Sequence, residues 1–253
     1  MQQHVRFERI WAAFLLAWVA AFSDAIGFLV LQQLGASFMS GNSMATGVAL
    51  GRLDWPAALH SGFPIIMFFV GNMLGFLMLT LTRPWHIRSP FAIIFALEVI
   101  FLLAFLLVGS RSFQGGSVRP LDSWIFYVCT TLLTLAMGLQ TATVRRARGE
   151  HISTTFVTGV LSNWANALAQ YLPWLRQQLA EQSVLQVIRT PVHQASARHF
   201  FLLSGLWISY LIGAICGGVL ELRLALTALV FPICILVVLI VIDVLQPFER
   251  EYF

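Results

Sequence analysis

The chain has 253 residues, of which 58% are hydrophobic, 13% aromatic and only 10% charged, and its mean hydropathy is +0.82. So little charge excludes a soluble globular domain and a disordered chain, and three cysteines, each inside an apolar run, exclude a disulfide scaffold. The formal charge of +4 comes from 15 arginines with no lysine, which removes P-loop and Schiff-base chemistry and leaves a polytopic membrane protein.

A bilayer's hydrocarbon core is crossed by about 20 helical residues. Taken in chain order, the runs of that length are 10–31, 61–82, 90–109, 123–144, 200–220 and 224–242. The first follows Arg6 and Arg9 like a signal peptide, but its apolar region exceeds the roughly 7–15 residues of one, so it is expected to be retained as a span. After it comes 34–51, rich in Gly and Ser. The second span carries Gly71 and Gly75, the third Glu98, and the fourth Gln140 followed by Arg145, Arg146 and Arg148. A second Ser/Thr/Gly-rich segment, 152–169, and a polar insertion, 173–198, precede the last two spans. Within the insertion, Leu175, Leu179 and Leu185 suit either an interfacial amphipathic helix over 174–189 or a loop.

Arginine placement gives the expected orientation, because cytoplasmic loops carry the positive excess. With six crossings, eleven arginines fall on the side of the N-terminus and four on the other. Both termini are therefore expected in the cytoplasm, with the basic run after Gln140 explained by topology and no nucleic-acid partner needed.

The two leftover segments resemble each other. Ser37-Phe38-Met39-Ser40-Gly41 and Thr155-Phe156-Val157-Thr158-Gly159 share hydroxyl, Phe, apolar, hydroxyl and Gly, and Gly71 and Gly75 recur as Gly213 and Gly217 in the corresponding later span. A repeat of three crossings inverts its second copy, the plan of many secondary transporters. The halves are 1–110 and 111–253. Ser40 and Thr158 are placed to cap helical runs, which suggests two re-entrant half-helices. The competing reading is a pair of short interfacial helices.

The order of Asp24-Ala25-Ile26-Gly27-Phe28-Leu29, Ser37 to Asn42, Gly138-Leu139-Gln140-Thr141-Ala142 and Thr154 to Gly159 resembles the YoaK-type family of bacterial membrane proteins across nearly the whole chain. The resemblance implies an inner-membrane fold of about six helices and assigns no activity. The chain departs from the family pattern at Thr141 and at Ser43-Met44.

Only two of the chain's charged residues fall inside the six runs: Asp24 and Glu98. An intramembrane carboxylate costs on the order of 2.5–3.5 kcal/mol, so each must face a cavity, find a partner or stay protonated. Asp24 either couples a proton or cation, or clasps the backbone of the segment after it. Glu98, with no arginine in any span, is expected to be neutral, and either completes a site with Asp24 or makes one interhelical hydrogen bond. Gln140 corresponds to Asp24 in the repeat if two residues are allowed to shift, and contacts solute or a partner helix. Ser40, Gly41, Asn42, Thr158 and Gly159 are the expected site lining, their half-helix N-termini suiting a polar or anionic solute, with Asn163 and Asn166 on later turns. The two glycine pairs read as close helix packing.

Enzyme readings fail on motif. Phe38 stands where a rhomboid-like G-x-S-G needs its first glycine, no histidine lies within the six runs, and Gly-x-Gly-Asp is absent. Isolated cysteines and the lack of any cofactor motif leave no metal or cofactor expected. The sequence thus points to an all-α membrane protein that moves a polar or anionic small molecule, with a proton as candidate coupling ion. The alternative from another class is a non-transporting membrane scaffold or assembly factor.

Overall fold

The computed structural model describes residues 10–82, 89–112, 124–148, 157–181 and 195–248. Its elements are α1 (Ile10–Val30), α2 (Met39–Gly51), α3 (Trp55–Thr82), α4 (Pro90–Ser112), α5 (Trp124–Arg148), α6 (Val157–Glu181), α7 (Ala195–Leu224), a 3-10 turn (Ala225–Leu229) and α8 (Val230–Leu245), with no strand among the described residues. Five stretches are long and apolar enough to cross a membrane: Trp11–Val30, Trp55–Thr82, Pro90–Ser112, Trp124–Val144 and Phe200–Leu245. The last holds α7 and α8, separated only by the 3-10 turn rather than by a polar loop.

Helix contacts run in one order, α2 on α3, α3 on α5, α5 on α1, α1 on α7 and α7 on α6. Helices α4 and α8 pack on each other, α4 also on α5 and α8 also on α1. The middle of the row, α1 and α5, therefore carries most of the buried polar side chains: Ser23, Asp24, Thr130, Thr134, Gln140, Thr141 and Thr143. Several hydroxyls discharge their hydrogen bonds within their own helix, as Thr141 does to the Met137 carbonyl at 2.8 Å and Thr143 to that of Leu139 at 2.9 Å.

Small residues set the closest approaches. A Cβ added at Gly71 would lie 2.6 Å from the Leu135 carbonyl oxygen, and one at Gly138 would lie 2.6 Å from that of Phe68, so α3 and α5 meet backbone to backbone. On α7, Gly213 is seated on the Trp18 carbonyl and Gly217 on that of Phe22, while Ser209 donates to the Phe14 carbonyl at 2.7 Å. Both glycine pairs do the packing expected of them.

Several boundaries differ from expectation. Helix α3 starts at Trp55, not 61, because Asp54 Oδ1 accepts the Ala57 amide at 3.1 Å as an N-cap does, with Pro56 in the first turn. That extension takes His60 into a candidate span, where it stacks on Phe126 with ring centroids 4.6 Å apart. Helix α8 begins at Val230 rather than 224, since Ala225 takes a φ of 49° and the chain first makes the 3-10 turn. Helix α6 does not stop near 169. It runs through Pro173 to Glu181 and absorbs the first part of the polar insertion, of which 182–194 lies outside the described residues.

Candidate functional site

Asp24 is buried on α1, six residues before the helix ends at Val30. Gln32 and Gln33 then take positive φ values of 56° and 64°, turning the backbone back toward α1. This turn carries Ser37 to the carboxylate. The Ser37 amide donates to Oδ1 at 2.8 Å, the Ser37 hydroxyl donates to Oδ2, and from α7 the Tyr210 hydroxyl donates to Oδ2 at 3.4 Å. Three donors thus converge on one carboxylate, an arrangement its acceptor-only ionised form can accommodate in full.

Asn42, also buried, donates through Nδ2 to the Gly35 carbonyl at 2.8 Å and so fixes the same turn from the first turns of α2. The segment that reaches Asp24 is held at both ends. Ser40 does not cap α2. The helix already begins at Met39, with Phe38 at the cap position and no side-chain cap bond, so Ser40 lies in the first turn and is exposed. Gly41 is half-buried, and the Phe38 ring occupies the space a Cβ would need, at 2.1 Å. With 13 residues α2 is about 20 Å long, short of the roughly 30 Å hydrocarbon core. Thr46 ties it to α3 through Ser61 at 3.0 Å.

Thr158 and Gly159 fall in the first turn of α6, which begins at Val157, and Gly159 is exposed. Among the described residues α6 touches α7 and α2 touches α3, at opposite ends of the helix row, and the two do not touch each other. The expected meeting of Ser40 and Gly41 with Thr158 and Gly159 across one site is therefore not formed. Helix α6 instead turns aromatics inward. Trp164 stacks on Phe200 and Trp207 at 5.8 and 6.1 Å, and Tyr171 stacks on Phe200 at 6.2 Å. Its exposed face carries Asn163, Asn166 and Gln170, the last donating to Asn166 at 3.2 Å.

Gln140 bonds the partner helix. Its Nε2 donates to the Leu16 carbonyl of α1 at 3.0 Å, two turns from Asp24, while its Oε1 is buried with no hydrogen-bond partner among the described residues. Glu98 contrasts with Asp24. It is fully buried in α4, and neither carboxyl oxygen has a hydrogen-bond partner among the described residues, so of the two roles open to it, a site with Asp24 or an interhelical bond, neither is formed among them.

Sequence reasoning missed a third buried carboxylate, Asp243, because it sits just past 242, where the last span was expected to end. From α8 its Oδ2 accepts the Ala92 amide and its Oδ1 the Phe248 amide, both at 2.8 Å, while its carbonyl accepts the Ser89 hydroxyl at 3.1 Å. Asp243 thereby satisfies the N-terminus of α4, whose Pro90 start was the available signal.

A buried carboxylate with its donors near the α1 exit, a turn held by Asn42 on the Gly35 carbonyl and glycine-seamed apolar helices are the features that the sequence motifs mark, and residues 12–242 match a family described as a protein of unknown function (DUF1275). The chain belongs to this family. It is also similar to UPF0700 transmembrane protein YoaK of Bacillus subtilis (strain 168), with 26% identity over 164 residues, 65% of this chain and 69% of that protein. No solved structure matches it. Membership agrees with the apolar helices in making this DUF1275 protein a multi-pass, all-α membrane protein in contact with lipid.

Proposed function

We propose that this DUF1275 protein is a small, non-enzymatic transporter or conduit for a polar or anionic small molecule, with Asp24 at its site. The observation that carries the reading is the Asp24 cluster itself. One carboxylate joins α1, the turn before α2 and Tyr210 of α7, so a change at Asp24 is felt by three segments at once. The Ser40 and Gly41 amides at the start of the short helix α2 lie next to that turn and suit a polar or anionic group. Thr158 and Gly159, at the far end of the row, are left out of this site.

The reading includes six spans in two inverted halves in the bacterial inner membrane, with both termini cytoplasmic. Two regularities support the pairing of the halves. Gly71 faces Leu135 as Gly213 faces Trp18, and Gly75 faces Leu139 and Ala142 as Gly217 faces Phe22 and Ala25. The glycines are 142 residues apart and every one of their partners 117 apart. The helix row also reads alike from either end, α2·α3·α5 against α6·α7·α1. In this register Thr141 corresponds to Asp24 and Gln140 to Ser23, one residue from the pairing expected in the sequence.

A non-transporting scaffold is favoured by a different observation, that Gln140, Ser209 and the glycines all hold helix to helix. A thermal-shift screen of the purified protein against small anions, amino acids, nucleobases and cations separates the two. A ligand at 100 times its Kd stabilises the folded state by about 2.7 kcal/mol. A shift that Asp24→Asn abolishes supports transport. A panel without any shift favours the scaffold.

A further inference from the structure

We infer that Glu98, and not Asp24, is the proton-carrying group of this protein, a carboxyl that is neutral in the conformation described and loses its proton when the packing around α4 opens. The inference deepens the transport reading and rests on it for what the proton is coupled to. Three buried carboxylates in one chain allow a direct comparison. Asp243 has both oxygens engaged by amides, and Asp24 has both engaged by Ser37 and Tyr210. In both, hydrogen-bond donors compensate the burial of the carboxylate. Glu98, buried just as completely in the middle of α4, holds nothing.

An ionised, unpaired carboxylate cannot persist there, and a neutral one left without partners still forfeits a hydrogen bond. For packing alone, an apolar side chain of similar volume would serve better. The group is therefore adapted to a second conformation in which water reaches it. Further buried oxygens lack partners among the described residues: Ser23 Oγ on α1, and Thr130 Oγ1 and Gln140 Oε1 on α5. Helix α5 packs directly on α4 and on α1.

The step is a simple dissociation. The carboxyl O–H bond breaks, its electron pair stays on Glu98, and the proton passes to an entering water. The titratable groups on the elements packed against α4 are Tyr127 and Cys129 on α5, His60 on α3, and Cys234 and Asp243 on α8, with none on the 3-10 turn; Arg145, Arg146 and Arg148 lie at the far end of α5. Of these acids, Asp243 is committed to the α4 N-terminus, about 9 Å along the helix from Glu98, since six residues separate Ala92 from it.

Infrared spectroscopy of the full chain in lipid tests this without knowing the solute. A protonated-carboxyl C=O band is expected that disappears in Glu98→Gln, persists in Asp24→Asn, and shifts down within minutes of transfer to D2O. The inference is overturned if that band is absent at every pH, if it belongs to Asp24, or if it has not shifted after a day, as for a sealed structural acid. Should Glu98→Gln not fold, wild-type protein is treated with dicyclohexylcarbodiimide, which adds a protonated carboxyl across its C=N bond and rearranges to an N-acylurea with no leaving group. Peptide mass mapping is expected to find the adduct on Glu98, and an unmodified Glu98 overturns the inference. A negative solute panel beside an exchanging Glu98 band would remove the transport reading and leave the proton site standing.

Discussion

Gly213 and Trp18 meet so closely that a Cβ on the glycine would lie 2.4 Å from the Trp18 carbonyl oxygen. Backbone cannot retreat as a flexible side chain can, so α7 must separate from α1 to admit any larger residue. Gly213→Val is expected to destabilise the protein by about 1–3 kcal/mol or more, as overpacking does. Gly218→Ala, with nothing within 4 Å of the added carbon, is expected to be neutral. Thermal unfolding of both variants in the same detergent checks the contrast.

Asp243→Ala removes the acceptor of two buried amides at once, those of Ala92 and Phe248. Each stranded donor costs about 1–3 kcal/mol. The loss is expected to be local to the start of α4 and the segment after α8, and amide hydrogen exchange at residues 91–94 is expected to quicken well before exchange in α5 does.

The three donors on Asp24 are unequal. Tyr210 is the most distant, at 3.4 Å, so Tyr210→Phe is expected to cost under about 1 kcal/mol. Asp24→Ala strands the Ser37 amide and releases the turn before α2, with an expected loss of about 1–3 kcal/mol. A double-mutant cycle between positions 24 and 210 measures their coupling, and a value above that of Tyr210→Phe alone would contradict this ranking.

Gln140→Leu deletes one interhelical bond, worth about 0.6 kcal/mol in a membrane protein, and also deletes an unpaired buried oxygen. The two effects oppose each other, so denaturant or thermal titration is expected to find the variant within about 0.5 kcal/mol of wild type.

Much of this was readable from residue order, and the failures have physical causes. Apolar run length located α1, α3, α4, α5 and the Phe200–Leu245 stretch, because burial in lipid leaves a one-dimensional signal. Helix ends were misplaced where local polar chemistry sets them, as Asp54 does for α3. The glycine pairs were legible as packing devices, whereas the carbonyls they seat against were not, since those are backbone atoms of another helix. Asp24 was flagged by its cost in a membrane, but Ser37 and Tyr210 could not be named as its partners. Ser37 reaches it only through the positive-φ turn at Gln32 and Gln33, and Tyr210 lies 186 residues away. Thr158 and Gly159 were drawn to Ser40 and Gly41 by likeness of motif. Likeness between repeats predicts equivalent surroundings, which is a different thing from proximity.

The junction between α7 and α8 bears on how the chain is made. The 3-10 turn buries Leu226, Ala228 and Leu229, and from Leu224 to Ile242 no charged residue interrupts the sequence. The ribosome therefore delivers 46 residues, Phe200–Leu245, in which Glu221 and Arg223, at the end of α7, are the only charged side chains before Asp243. Helix α1, which α7 grips through Gly213 and Gly217, must therefore wait for its principal neighbour until every element from α2 to α6 has been made.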